Sequence, residues 1–129
     1  MPERAWDAIA LPGVDAVWLM GVWERSPAGR AIALADPGVR EAVAAALPDA
    51  TDADVVGSPY CIRTYTADVN LGGPAGLAVA RAALARRGLR LLLDFVPNHV
   101  APDHPWGAGH PEYFVRGTRA DLARDPQAW

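Results

Sequence analysis

Asp94-Phe95-Val96-Pro97-Asn98-His99 places a carboxylate, an amide and an imidazole within six residues of one another. The run directly follows Leu91-Leu92-Leu93, which reads as the end of a buried strand. Side chains of these types can bind hydroxyl groups, hold a cation or move a proton. In parallel α/β folds, ligands bind at the carboxyl ends of strands. A carboxylate there is costly to bury unless it is paired. A competing reading makes Asp94 a turn cap and leaves Asn98 and His99 as loop residues, and residue types alone leave both readings open. Other groupings carry less. His99, Asp103, His104, His110 and Glu112 match neither an i,i+4 helical metal pair nor a zinc-ligand pattern. His104 and His110 each precede proline, which favours extended loop backbone. Cys61 has no evident base to make it a nucleophile and reads as a small packing residue.

Two runs qualify as the strands that must position this site. Residues 14–20 are apolar on both alternating faces except at Asp15, and residues 89–95 are apolar until Asp94 apart from Arg90. Such runs predict parallel strands covered by helices, with Trp18 in the core. A short helix is expected to end within residues 2–10. Asp36-Pro37 starts another as N-cap and first helical residue, running through Val39, Val43 and Leu47. Gly72-Gly73-Pro74 opens a third, which Gly88 ends. The glycines there resemble a phosphate loop only superficially, since no clear strand precedes them. Thr118 to Asp121 reads as a last helix start. Residues 21–35 and 96–117 are expected to be long loops. Residues 48–71 show no sustained period, with a short extended piece at residues 54–56. Strand, helix, strand makes a βαβ unit. Of the five tryptophans, Trp23 and Trp106 sit in loops where sugar stacking and packing are both open. Trp6 and Trp129 are expected to lack packing partners near the termini.

Hydrophobic residues make up 51% of the chain and charged residues 21%, which excludes a compositionally disordered polymer. The net charge of −3 carries no basic stripe, so neither nucleic acid nor an anionic membrane is expected as a partner. A single cysteine excludes an internal disulfide and fits a reducing compartment. Met1 to Asp7 lacks a secretory leader pattern, and no run is long enough to span a bilayer. Cytoplasmic localisation is the resulting expectation. The 129 residues suit one domain but are short for a (β/α)₈ barrel of about 250 residues.

The Asp94–His99 run resembles the first conserved region of the α-amylase superfamily (glycoside hydrolase family 13), where it closes the third barrel strand. Asp103-His104-Pro105-Trp106 is similar to what often follows it. Asp15-Ala16-Val17-Trp18-Leu19-Met20 resembles the second strand. Ser58-Pro59-Tyr60-Cys61-Ile62-Arg63-Thr64-Tyr65 resembles the loop after that strand, and Leu71-Gly72-Gly73 the start of the next helix. The resemblance spans Leu11 to about Trp106 in family order. Departures occur at Gly57, Cys61 and Thr64, where many members carry acidic residues, and they bear on substrate subtype.

The resemblance implies a partial (β/α)₈ barrel of the α/β class over residues 1–129, holding strands two and three with their helices and truncated at both ends. It implies an α-glucan or α-glucoside substrate and a retaining reaction. His99 would donate hydrogen bonds to sugar hydroxyls, Tyr60 would stack on the sugar ring, and Asp94 would orient the site by pairing with an arginine on the fourth strand. Asn98 matches a position that helps bind structural calcium in many members. Retention needs a nucleophile and an acid/base about 5–5.5 Å apart. The family carries them on strands four and five, with a third carboxylate after strand seven. No residue matches those regions, and the family gives Glu24, Asp103 and Glu112 no such role. The expectation is therefore a glycosidase fragment with no catalytic residue of its own. The alternative is a non-catalytic carbohydrate-binding or interaction module using Tyr60 and His99.

Overall fold

A computed structural model describes residues 1–126. The elements are α1 (Glu3–Ile9), β1 (Ala16–Leu19), β2 (Trp23–Arg25), α2 (Pro27–Ala35), α3 (Pro37–Ala46), β3 (Ile62–Ala67), α4 (Gly73–Ala85), β4 (Arg90–Leu93), α5 (Pro105–Gly109) and α6 (Arg119–Arg124). Single 3-10 turns lie at Val69–Leu71 and Pro111–Tyr113. The fold is mixed α/β, with two separate two-stranded sheets among the described residues. Trp129 lies outside the described residues.

β1 and β4 pair in parallel, from Ala16↔Arg90 to Leu19↔Leu93, as the two apolar runs predict. Behind them Trp6, Ala83, Leu84 and Leu89 form the core, joined by Val14, Val17 and Leu91. Leu84 is 0% exposed. Trp6, expected to lack partners near the terminus, is 4% exposed because α1 packs against α4. Arg87 fastens the two helices, its Nη2 lying 2.7 Å from both Glu3 and Asp7 carboxylates. The opposite face of the sheet corrects the expectation of burial on both sides. Trp18 is 57% exposed and Leu92 53%, so Trp18 is not a core residue. Successive side chains on a strand point to opposite faces, and α1 and α4 cover only the face carrying Val17 and Leu91.

The two supposed loops and the stretch without a sustained period contain regular structure. Residues 21–35 hold β2 and α2. β2 is three residues long, too short to show a period, and exists because β3 pairs with it antiparallel. Ser26 caps α2 by accepting from the Gly29 N–H, with Pro27 at the first turn. Residues 48–71 hold β3, whose register with β2 shifts twice, so its side chains do not alternate cleanly between faces. Residues 54–56 form no strand: the Asp54 carboxylate instead accepts from the Thr51 N–H and hydroxyl and closes a turn. Residues 96–117 hold α5 and the second 3-10 turn.

The helix starts read from sequence are present. Asp36 caps α3 through the Gly38 and Val39 N–H groups. Thr118 and Asp121 cap α6 reciprocally. Gly88 sits at φ +73 after α4, where the left-handed turn suits glycine.

Candidate functional site

The register Leu19↔Leu93 sets the carboxyl ends of β1 and β4 side by side. Gly21 follows one and Asp94 follows the other. Asp94 is 8% exposed, and each of its carboxylate oxygens accepts one hydrogen bond within the chain. It accepts from the Trp18 indole N–H at 2.9 Å and from the Gly21 N–H at 2.5 Å. The Trp23 indole N–H donates to the Asp94 carbonyl at 2.9 Å. Asp94 thus has donors where the resemblance implies an arginine from another strand. Neutral N–H donors suffice because each aims at a carboxylate in a partly dry position, where charge-assisted bonds are strong.

Asp94 and Tyr60 line one open pocket of about 480 Å³, with Trp18, Leu92, Leu93, Phe95 and Val96. Tyr60 is partly exposed, and its hydroxyl lies 3.8 Å from the Met20 sulfur. His99 stands beside them, its Nε2 3.1 Å from the Tyr60 carbonyl oxygen. A carbonyl only accepts, so that contact puts the proton on Nε2. The structure therefore brings Tyr60 and Asp94 into one pocket, while His99 reaches the Tyr60 backbone and does not line it.

Asn98 is exposed in the following segment and does not line the pocket. Calcium takes six to eight oxygen ligands. Among the described residues no three His, Cys, Asp or Glu side chains converge on a metal position.

Tyr65 supports the site in a way that the sequence did not assign to it. The Tyr65 hydroxyl accepts from the Val96 N–H at 2.8 Å and donates to the Val96 carbonyl at 3.1 Å, pinning the segment beyond β4. Tyr65 also meets Trp23 edge-on with ring centroids 5.3 Å apart. This packing, with its bond to Asp94, assigns Trp23 to support. Trp106 remains 50% exposed, against His104 and Tyr113. Cys61 is half-buried against Gly29, where a Cβ would come within 2.5 Å of its sulfur.

The remaining acidic residues nearby are bound up elsewhere. Glu24 accepts from Arg63 Nη1 at 2.9 Å and from the Thr64 hydroxyl at 2.6 Å. Asp103 accepts from the Ser26 hydroxyl at 2.6 Å and from the Ala28 N–H at 3.3 Å, at the start of α2. Burial pushes the Asp103 carboxyl up, but the Ser26 and Ala28 donors and the Arg63 charge hold it below its ordinary value. Asp68 is buried and accepts from the Arg25 N–H at 3.1 Å and the Asn70 N–H at 2.8 Å. Burial raises its carboxyl and these donors outweigh it, so it too lies below 3.8. Glu112 lies 3.1 Å from His110.

No protein-family model, curated protein or solved structure matches the chain. Among the described residues no helix is long and apolar enough to cross a membrane.

Proposed function

We propose that the pocket at the ends of β1 and β4 binds a glucose unit of an α-glucan or α-glucoside, as part of an α-amylase-type glycoside hydrolase centre on a (β/α)₈ barrel. The observation that carries this reading is the meeting of Tyr60 and Asp94 in one pocket, with His99 bonded to Tyr60. The two residues lie 34 positions apart in the chain. Their convergence is what the resemblance implies and what a set of unrelated loop residues would not require. The chemistry fits a sugar: the Tyr60 and Trp18 rings offer apolar faces to C–H groups. Asp94 holds the frame, since its oxygens already receive two N–H donors.

Bond cleavage lies beyond these residues. Retention requires two carboxyl groups about 5–5.5 Å apart, and among the described residues Asp94 is the single carboxylate lining the pocket. That same fact favours the second reading, a carbohydrate-binding module without hydrolysis.

Titrating maltose into the purified chain while following tryptophan fluorescence tests the proposal. Saturable quenching is expected, lost in Tyr60→Ala. No saturable change at millimolar maltose sinks it. Parallel incubation with 4-nitrophenyl α-glucoside is expected to release no nitrophenol.

A further inference from the structure

Arg25 lies in β2, away from the pocket, yet its side chain reaches the turn that frames it. Its Nη2 donates to the Gly21 carbonyl at 2.9 Å. Gly21 in turn donates its N–H to the Asp94 carboxylate at 2.5 Å. The same glycine, at φ +64, lies so close to Pro59 that a Cβ would come within 2.5 Å of the proline Cβ. Pro59 immediately precedes Tyr60. One residue thus touches both halves of the pocket through its N–H and its Cα, and Arg25 holds its carbonyl on the next peptide. Arg25 is itself anchored, because its backbone N–H donates to buried Asp68. Its other terminal nitrogen, Nη1, is buried without a hydrogen-bond partner among the described residues. A buried guanidinium nitrogen left unpaired disfavours folding, and such a group calls for a reason other than stability.

We propose that Arg25 is a positioning residue for the pocket: by clamping the Gly21 carbonyl it restrains the backbone torsions of a glycine whose N–H orients the Asp94 carboxylate and whose Cα packs on Pro59. Asp68 fixes Arg25, Arg25 fixes Gly21, and Gly21 fixes Asp94. The consequence for sugar binding rests on the proposed function, whereas the consequence for Asp94 geometry does not.

The test compares the wild-type chain with Arg25→Met and Arg25→Lys by ¹H–¹⁵N NMR with hydrogen exchange, reading the Gly21 amide and the Trp18 indole N–H. In Arg25→Met both resonances are expected to move, with Gly21 exchange at least about tenfold faster, while the core amides of α4 keep their protection. Arg25→Lys is expected to restore part of the wild-type shifts. Unchanged Gly21 and Trp18 signals in folded Arg25→Met would overturn the proposal. If that variant does not fold, the wild-type chain decides. A through-bond coupling between an Arg25 terminal nitrogen and the Gly21 carbonyl carbon is expected, and its absence overturns the clamp. Maltose titration of the same samples separates the two ideas. Wild type that fails to bind maltose, with the NMR effects intact, refutes the sugar reading and leaves the clamp standing. Maltose affinity that survives Arg25→Met despite moved signals removes the link from clamp to binding.

Discussion

The two sheets treat their polar residues in opposite ways. At the end of the parallel pair, β1 with β4, one buried carboxylate is held by N–H groups beside an open pocket with aromatic and aliphatic walls. Around the antiparallel pair, β2 with β3, Glu24, Asp68 and Asp103 are each closed into a set of donors from neighbouring segments. The first region leaves apolar surface free to meet a ligand. The second spends its hydrogen-bonding capacity on holding chain segments together. Carboxylate count alone would point to the second region as the site, and partner satisfaction points to the first. The clamp from Arg25 joins them, since it starts in β2 and ends at the Gly21 turn.

Breaking the core beneath the first region has the largest expected effect. Leu84→Ala empties the core behind the parallel pair and is expected to cost about 2–5 kcal/mol, read by urea denaturation. A loss below about 1 kcal/mol would mean that this core does not support the sheet. Gly21→Ala acts where the regions meet. The added Cβ would meet Pro59 at 2.5 Å, in backbone that already favours glycine. Destabilisation of more than about 1 kcal/mol is expected, together with loss of maltose quenching. Unaltered quenching would separate the turn from the pocket.

The acid limb of stability sharpens the contrast from the other side. Asp68 has a folded-state carboxyl held below its ordinary value of 3.8, so the folded chain binds its proton less readily than the unfolded chain. That stabilisation is present above the unfolded value and is lost as pH falls through the folded one. Asp68→Asn is therefore expected to be less stable than wild type at neutral pH, with the difference shrinking as the pH drops below the unfolded value. Equal differences at all pH values would deny Asp68 this role. The smallest effect is expected from Glu24→Gln. Its ion pair with Arg63 is partly exposed on both sides, and such pairs contribute about 0–1 kcal/mol. Maltose quenching is expected to stay at wild-type strength, and a weakened response would bring the β2–β3 network into the pocket's chemistry.

Local pattern and local chemistry were enough to read the elements that depend on neighbours in sequence. The apolar runs at β1 and β4, the Asp36 and Thr118 caps, and the Gly88 stop all announce themselves within a few residues. The strand-end position of Asp94 follows from the same reasoning. β2 and β3 were not readable, because a three-residue strand and a bulged partner have no period until they pair. The exposure of Trp18 was not readable either. An apolar strand looks the same whether one face or two are covered, and α1 and α4 cover one.

The sequence by itself determined which groups could act: a carboxylate, an imidazole and a tyrosine ring, in an α/β setting. Their assembly was decided only by tertiary structure. Parallel pairing brings Gly21 to Asp94, and the close packing of Gly21 on Pro59 brings Tyr60 to the same pocket. Those contacts join residues 38 to 73 positions apart, a separation over which no local propensity acts and only burial and hydrogen bonding select a partner.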